Sequence, residues 1–318
     1  MKTIYLDHAA TTPINEDVLQ AMFPYLTENY GNASSLYTIG RKSRKAVEES
    51  REKIANIIGA DKDEIYFTSC GSESDNLAIK GVAYANKGKH IITSKIEHPA
   101  VLITCKKLEK KGYDVSYINV DENGVIKLDE LKKEIRKDTI LITVMYANNE
   151  IGTYQPIKEI GQIAKERGII FHTDAVQVTG NTKINVKELN IDLLSMSAHK
   201  FYGPKGMGAL YVKNTVDFER VQDGGHQERN KRAGTENVAG IVGMATALEL
   251  SHKNLDEKNK YVEELRDYYI NSVREKIPNI KINGIPKYGL AGVANISFEG
   301  VSRRRCIIKF RLNWNLCI

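Results

Sequence analysis

The sequence predicts an α/β fold, a mostly parallel sheet sandwiched by helices. Short, almost wholly apolar segments recur, and amphipathic stretches of helical period alternate with them. That is the rhythm of βαβ units. The 318 residues can also bury one large core with a smaller companion. No internal repeat or low-complexity linker breaks the pattern.

The elements follow in order. Asp7 to Pro13 is a turn-rich opening. Pro13 begins a helix-like segment with Val18, Leu19, Met22 and Phe23 on one side. Residues 30–35 read as a loop. Residues 41–58 read as an amphipathic helix, apolar at Ala46, Val47, Ile54, Ile57 and Ile58 and stopped by Gly59. Strands are expected over 65–68, 90–93, 113–118, 140–145, 169–172, 191–196 and 207–212. Helices over 72–85, 99–111, 128–136 and 156–167 connect the first five. Residues 235–277 read as helical, and 280–282 and 293–298 as strands of a smaller unit. The expected division is a large domain over 14–252 and an incomplete small α/β domain from 1–13 and 253–301. A basic tail over 302–318 stands apart.

Charge and cysteines narrow the function. Of the formal net charge of +6, five charges are Arg303, Arg304, Arg305, Lys309 and Arg311 in the tail. A nucleic-acid surface is therefore not expected. No apolar run is long enough to span a membrane. Cys70, Cys105, Cys306 and Cys317 lie far apart with no CxxC spacing, so neither a disulfide framework nor a zinc site is indicated. The N-terminus has no signal-peptide core, and a cytoplasmic enzyme is expected.

The candidate residues follow the expected strands, where ligands of open α/β sheets bind. Lys200 comes just after a buried strand, in Ser197-Ala198-His199-Lys200. Half-buried there, its amine would have a lowered pKa, as in Schiff-base lysines; a loop lysine reaching water is the plainer alternative. Gly71-Ser72 opens a helix and suits an anion, although Ser72 reads equally as an N-cap with Asp75 three residues on. His98 lies just outside a helix begun by Pro99. Asn148 and Asn149 are turn formers or ligand-facing amides. Asp174 ends an apolar strand, a costly place for an acid without a cationic partner. The set fits pyridoxal 5'-phosphate. That cofactor needs a Schiff-base lysine (Lys200), an acid at its ring nitrogen (Asp174) and donors for its phosphate (Gly71, Ser72, Ser197, His199). It also needs a group over its ring face (His98).

From Tyr5 to about Val301 the chain resembles the NifS-type cysteine desulfurases, class V, fold-type I pyridoxal-phosphate enzymes. The matching blocks include Tyr5 to Pro13, Gly31 to Ser35, Glu97-His98-Pro99-Ala100 and Ala147 to Gly152. Asp174-Ala175-Val176-Gln177, Ser197 to Gly206 and Arg232 to Asn237 complete them. The resemblance implies that Lys200 holds the cofactor and Asp174 keeps its ring nitrogen protonated. It implies that Gln177 bonds the phenolic oxygen and that Gly71, Ser72, Ser197 and His199 bind phosphate. It further implies that His98 stacks on the ring and moves protons, and that Asn149 contacts cofactor and substrate. Thr235 would reach the phosphate of a partner subunit, hence a homodimer. L-cysteine would become alanine, with sulfur passing through an enzyme persulfide to an iron–sulfur scaffold or another acceptor.

The family's loop, Ser-Ser-Gly-Ser-Ala-Cys-Thr, is absent from this sequence. After Val301 the tail departs from the family pattern. Read from the second base of permitted codons, it allows Glu-Gly-Asp-Ala-Leu-Leu-Asn-Leu-Asp-Leu-Thr-Gly-Ile-Cys-Ala-Ser, which is family-like. A frame slip near codon 302 is the expectation, with resequencing as its test. Cys306 and Cys317 are then not the nucleophile, and Cys70 and Cys105 read as small buried thiols. Little or no persulfide transfer is expected of this chain. The alternatives are a catalytically dead, cofactor-binding dimer subunit and a related class V lyase or aminotransferase.

Overall fold

The computed structural model describes residues 4–301 and 316–317. Most of the basic tail, with Cys306, lies outside the described residues, and Cys317 is described by its backbone alone.

Seven strands form the main sheet: β2 (Ile65–Thr68), β3 (His90–Ser94), β4 (Asp114–Ile118), β5 (Thr139–Thr143), β6 (Ile170–Asp174), β7 (Leu193–Ser197) and β8 (Gly208–Val212). Their order is β2-β8-β7-β6-β5-β3-β4. Only β8 runs against its neighbours, so β2 is parallel to β7 across it. All strands but β8 therefore end at one edge. The chain passes β3 to β4, then returns to lay β5 on the other side of β3. That reversal is the topological switch where ligands of such sheets bind. Outside this sheet, β1 (Ile4–Tyr5) pairs in parallel with β11 (Leu316–Cys317). The antiparallel pair β9 (Ile280–Asn283) and β10 (Asn295–Phe298) matches Asn283 with Asn295.

Both faces of the main sheet are covered because its strands are apolar on both sides. Ile91, Leu141, Leu193 and Leu210 face α4 (Gly71–Ala85) and α5 (Pro99–Glu109), packing on Leu77, Val82, Val101 and Leu108. Their neighbours Ile92, Ile142, Leu194 and Ala209 face the other side. There they join Ile54 of α3 (Thr38–Ile58), Ile160 of α7 (Ile157–Arg167) and Met244 of α8 (Val238–Lys253). The alternation is the period of two that a pleated strand imposes. Leu131 of α6 (Leu128–Glu134) completes that second core.

Three expectations need correction. The first helix begins at Glu16, not Pro13, because the Asn15 side chain accepts the Asp17 N–H and sets the cap. This α1 (Glu16–Met22) passes directly into α2 (Pro24–Thr27). It buries Val18, whereas Leu19 and Phe23 are exposed. The single run over 235–277 is α8 and then α9 (Leu255–Lys276), separated at Asn254, whose backbone is non-helical. Several strand ends move by one or two residues; β7 extends to Ser197, so Lys200 lies in a 3-10 turn directly after it.

Candidate active site

The residues singled out in the sequence follow the ends of β2, β3, β5, β6 and β7, all on one edge of the sheet. Lys200 stands in the turn Ala198–Lys200. Residues 9–15 run along this turn and clamp it. Thr12 Oγ1 donates to the His199 carbonyl at 2.9 Å and accepts the Tyr202 N–H at 2.8 Å. Lys200 Nζ donates to the carbonyls of Ala9 and Ala10. Gln177 Nε2 donates to the same Ala9 carbonyl at 3.0 Å, which brings Gln177 beside Lys200. Burial holds the Lys200 amine below its ordinary value, while the charges of Asp174 and Asp7 act in the opposite sense.

Asp174 ends β6 and is 8% exposed. Its Oδ1 accepts the Val176 N–H at 2.9 Å. Burial pushes its carboxyl up, against the pull of that hydrogen bond and of His98 and Lys200. His98 caps α5, its Nδ1 accepting the Ala100 N–H at 3.2 Å, and Pro99 occupies the first helical position. The ring is exposed, and one of its nitrogens lies within 4.8 Å of carboxylate oxygens of both Asp174 and Asp75.

At the start of α4 the cap residue is Cys70, with no side-chain cap bond. Ser72 is the second helical residue and not the cap, so that alternative is overturned. The helix is therefore open to an anion at its positive end. Gly71 allows close approach: a Cβ there would meet Val176 Cγ2 at 2.6 Å and Ser197 Cβ at 3.4 Å. Ser197 Oγ, from the end of β7, is buried without a protein hydrogen-bond partner beside this helix start. His199 Nδ1 meets Thr11 Oγ1 at 3.1 Å, and burial followed by the Lys200 charge lowers its pKa.

Lys200, Gln177, Asp174 and His98 thus converge, with Gly71, Ser72 and Ser197 adjoining. Asn149 lies in the loop after β5, where its neighbour Asn148 does the structural work. The Asn148 side chain binds the Ile96 carbonyl and the N–H groups of Glu150 and Ile151. Thr235 is exposed, across a separate hollow from Ser69 and Gly206, and does not join the Lys200 cluster. Cys105 is buried as expected, but Cys70 is only partly so, because the helix cap leaves it at the surface.

Sequence reasoning missed two buried acids. Glu97 Oε1 accepts from Ser94 Oγ at 2.6 Å and from Met145 N at 2.9 Å, and burial raises its carboxyl to about 8. Asp75, 1% exposed, lies in the first turns of α4. Its signal was positional: Asp75, Ala78, Ile79 and Val82 share one helix face, and the other three are core. Chemically, the edge offers a suppressed amine, a buried acid and an anion cradle. Together these could hold an aldehyde-bearing, phosphorylated cofactor.

The family model described as aminotransferase class-V matches residues 4–310. The chain belongs to the class-V aminotransferase family. Within this family it is 56% identical over 300 residues to the cysteine desulfurase IscS of Methanosarcina thermophila, across 94% of this chain and 74% of that protein. Identity to the IscS of Dictyoglomus turgidum is 53% over 313 residues, across 98% of this chain and 79% of that one. Among solved structures, a NifS-like protein superposes with a TM-score of 0.95 at 38% identity, across 99% of this chain and 87% of that one. SspA in complex with cysteine matches at 0.86 and 37%, across 99% and 88%. This class-V chain has the sheet of its relatives, and no helix among its described residues is long and apolar enough to cross a membrane.

Proposed function

We propose that this class-V chain is a pyridoxal-phosphate-dependent cysteine desulfurase acting on L-cysteine. The observation that carries the reading is the half-buried Lys200 amine set beside buried Asp174 on the edge that also presents the α4 start. The relatives' names and the cysteine bound by SspA supply the substrate.

Bound pyridoxal phosphate supplies an aldehyde and a ring that draws electrons from the substrate's α-carbon. The chain's residues do the rest. Gly71, Ser72, Ser197 and His199 would hold the phosphate, and Ser197 Oγ and the bare Gly71 cradle fit that task. Asp174 would hold a proton at the ring nitrogen, and Gln177 Nε2 would donate to the phenolic oxygen. Lys200, whose amine burial holds below its ordinary value, would hold the aldehyde and would serve as a base toward the substrate's α-proton. His98, exposed at the ring side, would stack and relay protons, and Asn149 would meet cofactor and substrate. A homodimer in which Thr235 reaches the partner's phosphate, a cytoplasmic setting and delivery of sulfur to an iron–sulfur scaffold or another acceptor belong to the same proposal.

The test begins with the purified chain and added cofactor. Visible absorbance is expected, together with its loss in Lys200→Ala; a variant that absorbs like the wild type refutes the assignment. L-cysteine is then added, and alanine and sulfide are measured. Absorbance without product favours a cofactor-binding subunit that does not complete sulfur transfer. Sustained alanine formation overturns the expectation that the family's loop cysteine is needed here.

A further inference from the structure

Behind Asp174 lies a second buried acid to which the reading above gives no task. Asp75 enters from α4 on the side of the sheet away from α3 and α8. Its Oδ1 is buried with no hydrogen-bond partner. That same oxygen lies 3.8 Å from His172 Nε2. Its carboxylate and that of Asp174 approach within 4.8 Å, in a cluster that includes His98.

His172 offers no compensating charge. Wholly buried on β6, it shares hydrogen bonds with Thr143 Oγ1 at 2.8 Å and Ser195 Oγ at 3.0 Å. Burial holds its pKa down to about 3, so it is a neutral ring at physiological pH. The other groups facing Asp75 are the exposed ring of His98 from the α5 cap, Asp174 from β6, Glu97 from the β3–α5 connection and Cys70 from its own helix start. The two acids and Cys70 oppose a negative charge on it, and the Ser195 hydroxyl of β7 favours one. Burial, the largest effect, pushes in the same direction as the acids. Asp174 differs: it has the Val176 N–H, and His98 and Lys200 favour its charge. Two carboxyls this close in a dry site do not both ionise, and the environment decides which keeps the proton.

We propose that Asp75 is a positioning residue for the desulfurase reaction: packed behind Asp174, it carries a proton and so leaves Asp174 as the one anion beneath the cofactor's ring nitrogen. Were Asp75 ionised instead, its charge would raise the proton affinity of Asp174 and draw the proton off the ring toward the carboxylate. The neutral acid thus keeps the ring protonated without touching it. This rests on the assignment of Asp174 to the ring nitrogen.

Two measurements on the full chain test it. Infrared spectra of the cofactor-free protein at neutral pH do not depend on the cofactor assignment. They should show protonated-carboxyl intensity from Glu97, which Glu97→Gln removes, and a further part that Asp75→Asn removes; a spectrum unchanged in Asp75→Asn overturns the proposal. With pyridoxal 5'-phosphate bound, the visible absorbance is titrated with pH in wild type, Asp75→Asn and Asp174→Asn. Asp75→Asn, a neutral isostere, should keep the main midpoint within about 0.3 pH unit and lose a second, alkaline inflection that the wild type has when Asp75 ionises. A main midpoint moved by about one unit or more means that Asp75 was charged, and the proposal falls. A wild type with a single inflection also overturns it. Asp174→Asn serves as the separate control: if it leaves spectrum and midpoint unchanged, the assignment of Asp174 fails, whatever Asp75 does.

Discussion

The turn that leads to Thr235 is held by a buried ion pair, and removing one partner should be costly. Glu228 and Arg51 have side chains only 4% and 3% exposed. Glu228 accepts Arg51 Nη1 and Nη2 at 2.8 Å each, and also the Phe67 N–H at 2.8 Å. It thereby ties α3, β2 and the 228–230 turn together. The turn is strained, since Glu228, Arg229 and Asn230 have φ of 44°, 54° and 64°. Such left-handed conformations persist only when surrounding contacts impose them. Glu228→Ala leaves the guanidinium buried with the Ile65 carbonyl at 2.7 Å and the half-exposed Glu48 at 3.3 Å. The expected loss is about 3 kcal/mol, the lower end for a broken buried pair, because those two acceptors remain. The assay is urea unfolding followed by circular dichroism. Arg51→Met and the double variant Arg51→Met/Glu228→Ala close the cycle. The double variant should be less destabilised than the sum of the singles by about 1 kcal/mol or more, since it leaves no buried charge uncompensated. Trypsin should also cut faster after Arg229 and Lys231 in Glu228→Ala, as the turn opens. A loss below about 1 kcal/mol, or strict additivity in the cycle, would refute the reasoning.

Two further predictions concern buried titratable groups. Burial raises Glu97 from an ordinary 4.5 to about 8, so the folded chain binds its proton more tightly than the unfolded one. That contribution is complete below about pH 4.5 and is lost as the pH rises through about 8. Relative to Glu97→Gln, the wild type should lose on the order of 4 kcal/mol between these limits, read as urea midpoints at pH 5 and pH 8. An equal difference at both pH values would sink this account. The cysteines should differ in reactivity. Burial pushes the Cys105 thiol up to about 12, whereas Cys70 is partly exposed at the α4 cap. Iodoacetamide at pH 8 with peptide mapping should label Cys70 and spare Cys105 until denaturant is added; labelling of Cys105 in the native chain contradicts its burial.

Much of this protein was legible in the residues alone. The inner strands of the main sheet announce themselves as apolar runs, because a strand covered on both faces must be apolar on both, whereas the edge strand β4 carries Asp114 and Ser116. Lys200, Asp174, His98 and Gly71 stood out because each places unusual chemistry directly after such a run. Helix ends were less legible: Asn15 and Asn254 set boundaries through a cap bond and a backbone angle that composition does not record.

What only the tertiary structure decided is which groups share a dry space. The strand order inserts β8 between β2 and β7, which brings the α4 start to Ser197 although about 125 residues separate them. Residues 9–12 close on the Lys200 turn from near the start of the described chain, 191 residues from Ala9 to Lys200. Asp75 is the sharpest case. In sequence it is one of two acids on a helix; in the fold it lies 1% exposed beside Asp174. Helical period could place it on the inward face, but only packing removes the water, and it is the loss of water that turns a carboxylate into a neutral acid.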